Sequence, residues 1–337
     1  MNSLKKIIIT GACGFIGTCL SLRLLKHGIQ VIGIDNLSRP GAELNAKELA
    51  VERKLFSLHQ VDLSQTSKVY ELFSSIGEVD AVFHLAGQVA VTSSYKNRQK
   101  DFINNVVVSF NVIEAVKRYT PEAYCLYAST NKVYGNITVN KPIGNSYPLN
   151  PYSPYGVSKA AAELYFTEYG RKEIGLATCS LRQSCIYGHH QYGIEDQGWV
   201  AWFSIANIIE LPITIYGDGQ QARDILFIED LIDLYLECIE NRVTGVYPVG
   251  GGVTNIITIK QALILINRIT QKSFTCMENS NVRPGDQPYF VADTSWTNRL
   301  GLNWRPQVNA EQGIRKMIEW IQCNKNQIRY IIDSTHP

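Results

Sequence analysis

Residues 10–17 read Thr10-Gly11-Ala12-Cys13-Gly14-Phe15-Ile16-Gly17, a G-x-x-G-x-x-G spacing between a β-branched run and an amphipathic one. Glycines at such a junction permit a tight turn and let backbone N–H groups approach a pyrophosphate, whose charge a helix N-terminus stabilises. A glycine triplet alone is weak, so its surroundings decide. Residues 5–10 read as a strand and the segment to about residue 27 as a helix, which places the triplet at a strand-to-helix turn. A second strand over 30–35 ends in Asp35, where a carboxylate accepts hydrogen bonds from adenosine ribose hydroxyls and repels a 2′-phosphate. The pattern implies a dinucleotide cofactor, NAD in preference to NADP, with Arg39 the nearby group able to accommodate a 2′-phosphate.

Outward from this turn the chain keeps alternating. Further buried strands are expected over 55–61, 79–85, 122–129 and 176–183, with helical patterns over about 102–118 and 153–174. Repeated strand–helix units point to a parallel sheet covered on both faces. Beyond residue 184 the texture changes to shorter elements and turns, such as Gly217-Asp218-Gly219, Gly250-Gly251-Gly252 and Arg283-Pro284-Gly285. Residues 1–184 are expected to form the dinucleotide-binding domain, and residues 185–337 mainly a second lobe mounted on it. The polar stretch from Asn324 onward is expected to be loosely ordered.

Composition narrows the function class. With 32 basic and 30 acidic residues the formal charge is only +2, which argues against a nucleic-acid or anionic-membrane surface. The eight cysteines are scattered without a C-x-x-C pair or zinc-ligand spacing, as buried free thiols would be. His189 and His190 stand side by side without further spaced ligands, so no metal is expected there. No cleavable apolar leader and no run of ~20 apolar residues is apparent, and the expected location is cytoplasmic.

Tyr155-Gly156-Val157-Ser158-Lys159 places a phenol and an ammonium four residues apart, on one face of a helix. An ammonium nearby is expected to lower the phenol pKa, so that Tyr155 exchanges a proton with a substrate hydroxyl while hydride moves to or from the cofactor. Ser129-Thr130 ends a strand at the carboxyl edge of the sheet, where open α/β folds bind ligands. Thr130 is the expected third catalytic residue, holding the reacting oxygen. Asp62-Leu63 lies where the adenine edge would come, unless Asp62 caps the next helix. Leu85-Ala86-Gly87-Gln88 follows the fourth strand, where small residues let a cofactor backbone pass. His84 beside them reads as a core histidine.

These residues together resemble the extended short-chain dehydrogenase/reductase family and the nucleotide-sugar epimerases and dehydratases within it. Agreement runs along nearly the whole chain: the glycine turn, Asp35, Asp62, His84-Leu85-Ala86-Gly87, Asn105, Val133-Tyr134-Gly135, the Tyr155/Lys159 pair, Gly217 to Asp224, and Arg283-Pro284-Gly285-Asp286. The resemblance implies a Rossmann-type doubly wound parallel sheet with a smaller mixed α/β C-terminal substrate lobe. It implies cofactor contacts from Gly11, Cys13, Gly14, Phe15, Ile16, Gly17, Asp35, Asn36, Arg39, Asp62, Leu63, Leu85, Ala86, Gly87, Gln88, Asn105, Ser129, Tyr155 and Lys159. It also implies a nucleoside diphosphate sugar in the C-terminal lobe, with Arg223 and Arg283 on its diphosphate, and an assembly that is a homo-dimer or homo-tetramer.

The dehydratases of that family carry an Asp-Glu pair after the catalytic threonine. Here Asn131-Lys132 follows Thr130, and an amide with an ammonium cannot supply acid and base for water loss. Residues 130–135, 87–90 and 196–203 resemble the epimerases that act at C2 of CDP-sugars, with Ala201 where glycine is expected. That resemblance implies oxidation at C2 to a keto sugar, reorientation, and hydride return to the opposite face, with a CDP-deoxysugar as partner. Gln88, Thr130, Asn131, Lys132, Asp196, Gln197, Trp199, Arg223, Arg283 and Asp286 are the expected substrate contacts. A C4-epimerase, a ketoreductase of another nucleoside diphosphate sugar and a silent NAD-binding subunit remain as rivals.

Overall fold

A computed structural model describes residues 4–335. Strands β1 (Lys6–Thr10), β2 (Gln30–Asp35), β3 (Phe56–Gln60), β4 (Ala81–His84), β5 (Tyr124–Thr130) and β6 (Thr178–Gln183) fall on the six expected runs. The later strands are β7 (Cys185–Tyr187), β8 (Ile213–Tyr216), β9 (Ala222–Phe227), β10 (Gly245–Val249), β11 (Ile256–Thr258), β12 (Cys276–Asn279) and β13 (Tyr289–Phe290). The central sheet is wholly parallel in the order β10-β6-β5-β4-β1-β2-β3.

Alternation along the strands shows why both faces are covered. Ile7, Ile9, Val31, Phe83, Leu126 and Leu181 join one core with helices Phe15–Lys26, Trp199–Ile209 and Ile228–Glu240. Ile8, Ile32, Val82, Cys125 and Tyr127 face the other core, with helices Thr66–Ile76, Val108–Tyr119 and Pro154–Tyr169. Successive side chains point to opposite faces, so continuous apolar runs are what a sheet buried on both sides requires. The order reverses between β1 and β4, and ligands of such sheets bind at that reversal.

The chain does not divide cleanly at the boundary expected near residue 185. β10 returns from the C-terminal half to pair with β6, so the large sheet takes its seventh strand from beyond residue 184. The smaller lobe holds β11-β9-β13 with β7 on β9, and a separate β12-β8 pair. The tail also differs from expectation: Lys325–Thr335 is a helix whose Ile328, Ile331 and Ile332 are buried, because their three- and four-residue spacing forms an apolar stripe. The expected helix over 102–118 is interrupted by a π turn at Ile103–Val107. None of the described cysteines is in a disulfide, and no helix among the described residues is long and apolar enough to cross a membrane.

Candidate active site

Gly11 turns with φ +70°, and a Cβ there would stand 2.8 Å from the Ala86 amide nitrogen. A Cβ on Gly17 would lie 2.1 Å from the Gly11 carbonyl oxygen. Gly14 begins helix Phe15–Lys26, and no side chain caps it, so nothing competes with an anion for the first-turn N–H groups. Asp35 closes β2, its two carboxylate oxygens accepting from Cys13 N at 2.9 Å and Leu37 N at 2.8 Å. Burial pushes its pKa up, and bonds from the Leu37, Cys13, Asn36 and Gly14 backbone draw it back. An uncapped helix start, a turn closed to any side chain and a carboxylate at the end of β2 fit a dinucleotide.

The remaining expected cofactor residues are placed as follows. Asn36 is exposed and accepts from Ser38 N, while Arg39 reaches across to the other lobe, donating to Gln197 Oε1 at 2.8 Å. Asp62 is exposed in a turn onto Ser64 N, and Leu63 is buried with its carbonyl accepting from Asn111. Leu85, Ala86, Gly87 and Gln88 leave the end of β4, with Ala86 N donating to Thr10 Oγ1. The Gln88 side chain folds onto its own loop at Ala90. Asn105 lies in the π turn, 1% exposed. Its side chain accepts from Gln88 N at 2.9 Å and donates to Ser158 Oγ at 2.9 Å, bracing the loop after β4 against the helix that carries Tyr155.

Ser153 caps that helix, Pro154–Tyr169, through a bond from Gly156 N to its hydroxyl. Tyr155 and Lys159 lie one turn apart and are both buried. Burial drives the Tyr155 phenol up to about 12, a hydrogen bond with Thr130 opposes this, and the Asp101 charge adds to it. The expectation that Lys159 lowers the phenol is therefore corrected: desolvation dominates, and the ammonium is turned to other partners. Lys159 Nζ donates to Ala128 O at 2.6 Å and stands 4.3 Å from the centre of the Tyr127 ring. Burial brings the Lys159 pKa down to about 7, against the charges of Glu163 and Asp101. The Ser129 hydroxyl donates to Glu163, which also pairs with buried Arg182 at 2.7 Å.

A cavity of about 340 Å³ opens between the lobes, lined by Phe15, Ile16, Ser129, Thr130, Asn131, Lys132, Tyr155, Asp196, Gln197, Trp199, Arg223, Arg283 and Asp286 among others. Every expected substrate residue except Gln88 borders it. Asn131 Nδ2 donates to Gln287 Oε1 at 3.1 Å, and Lys132 Nζ to Gly285 O at 3.1 Å. Lys132 is brought down to about 8 by burial and by Arg223. Arg223 Nη2 pairs with Asp286 at 2.8 Å, and Arg283 Nη2 with Glu195 at 3.3 Å while its guanidinium stacks 4.2 Å from the Tyr216 ring centre. Asp196 faces Lys96 at 3.7 Å. Trp199 opens helix Trp199–Ile209 and packs edge-on against Phe203.

The family described as NAD dependent epimerase/dehydratase matches residues 7–250. The chain belongs to that family. NAD is accordingly its cofactor. CDP-paratose 2-epimerase of Salmonella typhi is 38% identical, over 94% of this chain and 98% of the relative. Among solved structures, the UDP-glucose 4-epimerase of Thermus thermophilus in complex with NAD superposes with a TM-score of 0.84 at 29% identity, covering 94% of this chain and 99% of the other. The UDP-glucuronic acid 4-epimerase of Bacillus cereus in complex with UDP-glucuronic acid and NAD gives 0.83 at 29% identity, with the same coverage.

Three residues of this epimerase/dehydratase site escaped the sequence reading. Asp101, four residues before Asn105, is buried, and its charge acts on both Tyr155 and Lys159. Gln287, wholly buried, donates to Gly135 O at 2.6 Å and accepts from Asn131. Glu195 holds Arg283 through both its backbone carbonyl and its carboxylate. Only the four-residue spacing of Asp101 and Asn105 left a local signal. The other two act across 156 and 88 positions.

Proposed function

We propose that this family member inverts C2 of a CDP-sugar of the paratose and tyvelose type, retaining NAD through turnover. The observation that carries the reading is the pair after Thr130, an amide and an ammonium tied to residues 285–287 where elimination would need carboxyls. Oxidation and reduction without water loss is what this arrangement serves. The 38% identity with a CDP-paratose 2-epimerase supports the base and the carbon.

In this reading Thr130 holds the reacting hydroxyl oxygen and Tyr155 takes its proton, returning it after the sugar has turned over. Bound NAD would supply reversible hydride acceptance, with positive charge on the oxidised nicotinamide. That charge is of the sign needed to bring a buried phenol down from about 12. Arg223 and Arg283 exchange Asp286 and Glu195 for diphosphate oxygens, which match a guanidinium fork. The exposed Phe110, Val157, Leu164 and Tyr165 on helices Val108–Tyr119 and Pro154–Tyr169 support pairing of subunits in a homo-dimer or homo-tetramer.

The test is incubation of the purified protein, without added cofactor, with CDP-paratose, CDP-tyvelose and CDP-glucose deuterated at C2, followed by NMR. Inversion with deuterium retained at C2 is expected, falling about 10²- to 10⁴-fold in Tyr155→Phe with the fold unchanged. Change at C4 instead, or net oxidation of added NAD(P)H, would transfer the chain to the C4-epimerases or the ketoreductases.

A further inference from the structure

Cys19 lies in the second turn of helix Phe15–Lys26, and 170 residues later His189 and His190 follow β7. The fold brings them together: one ligand atom from each lies within 4.8 Å of the others. Cys19 Sγ is 3.4 Å from His189 Nδ1. The opposite nitrogen of that ring, Nε2, faces Glu229 Oε1 at 3.5 Å. His190 Nδ1 is buried and makes no hydrogen bond, its neighbour being Glu48 Oε2 at 3.3 Å outside bonding geometry. His190 also takes φ +62°, a left-handed backbone that non-glycine residues adopt at a cost. That turn leaves the two adjacent rings edge to face, 5.2 Å between centres.

We propose that Cys19, His189 and His190, completed by Glu48, bind one Zn²⁺ ion. A thiolate, two imidazoles and a carboxylate are the donor types of four-coordinate zinc, and Glu229 behind His189 supplies the carboxylate–histidine relation that fixes a ligating ring. The Cys19, His189 and His190 donor atoms, within 4.8 Å of one another, contract modestly to reach bonds of about 2.0–2.3 Å to a shared centre, and the half-exposed Glu48 carboxylate, 3.3 Å from His190 Nδ1, swings in to the fourth position. Binding exchanges the Cys19 S–H bond for an S–Zn bond and releases the proton to water. Glu48 and Glu229 are each more than a third exposed, so the ion enters from that side. The site lies outside the sugar cavity and joins the dinucleotide-turn helix to the loop whose Gln191 borders that cavity. Its consequence is a clamp between the two lobes.

The experiment is titration of the reduced, chelator-treated, full-length protein with Co²⁺ alone, then with Zn²⁺. One equivalent of Co²⁺ is expected to give a thiolate-to-metal charge-transfer band and tetrahedral d–d absorption, both abolished by Zn²⁺, with a rise in melting temperature. Cys19→Ser is expected to lose the charge-transfer band and His190→Gln to weaken binding at least tenfold, while the surface change Cys323→Ser leaves both intact. Glu229→Gln, which keeps the shape of the side chain, is expected to weaken binding about 10- to 100-fold. Circular dichroism and retained NAD report whether each variant folds. Absence of a saturable signal from the folded wild type, or a band that survives Cys19→Ser or disappears in Cys323→Ser, overturns the site.

Discussion

His84 ends β4 with no exposure, Nδ1 2.7 Å from Thr10 Oγ1 and Nε2 2.9 Å from Ser109 Oγ. Burial, with the Lys159 charge as a lesser cause, holds its pKa down to about 3. Because the folded pKa lies below the unfolded value of about 6.5, the unfolded chain takes up the proton first. Stability is lost as pH falls from about 6.5 toward 3, at up to about 1.4 kcal/mol per unit. Asp224 acts with the opposite sign over part of this range, since burial raises its carboxyl to about 7, so the comparison must be between variants. Urea unfolding of the wild type and of His84→Gln from pH 8 to 4.5 is expected to show their difference narrowing as pH falls; a constant difference would refute the buried neutral imidazole. The sequence shows His84 as a core residue, and its strand position suffices for that. The spacing of Tyr155 and Lys159 points to a lowered phenol and the structure raises it, because desolvation depends on what packs over a ring, which spacing along a helix does not report.

At the scale of the element, the turn from β1 into helix Phe15–Lys26 is the most sequence-determined part of the site. Two separate demands converge on Gly11, its positive φ and the approach of Ala86. Gly28 has only the first, with φ +74° and no heavy atom within 4 Å of where a Cβ would stand. Gly28→Ala is therefore expected to cost about 1 kcal/mol of stability. Gly11→Ala is expected to cost more, about 2–4 kcal/mol from strain and contact together, and to abolish co-purifying NAD. Thermal melting and the cofactor content of the denatured protein distinguish the two. The π turn at Ile103–Val107 had no such legibility. It widens one turn of an otherwise helical pattern, and the bonds it serves, from Asn105 to Gln88 and Ser158, are tertiary.

At the scale of the molecule, the lobes interlock in two ways. β10 completes the large sheet from the C-terminal half, and Gln287 plugs the loop after β5 through Asn131 and Gly135. Gln287→Ala leaves the Asn131 amide and the Gly135 carbonyl without their buried partner, which is expected to cost about 1–3 kcal/mol. Since Asn131 and Lys132 border the inter-lobe cavity proposed to hold the sugar, KM for the sugar is expected to rise while bound NAD stays constant. Steady-state kinetics with cofactor quantitation checks this, and loss of NAD in the folded variant would contradict the separation of the two sites.

The sequence by itself determined the parallel sheet, the dinucleotide turn, Asp35 and the Tyr155/Lys159 pair. These are written in strand runs, glycine spacing and helical periodicity, all of which act within a few dozen residues. Only the tertiary structure decided which carboxylates hold Arg223 and Arg283, that Gln287 braces Asn131, and that Cys19 meets His189 and His190. Those pairings join residues at least 63 positions apart. Their geometry follows from how the C-terminal lobe packs on the sheet, and local pattern carries no record of that packing.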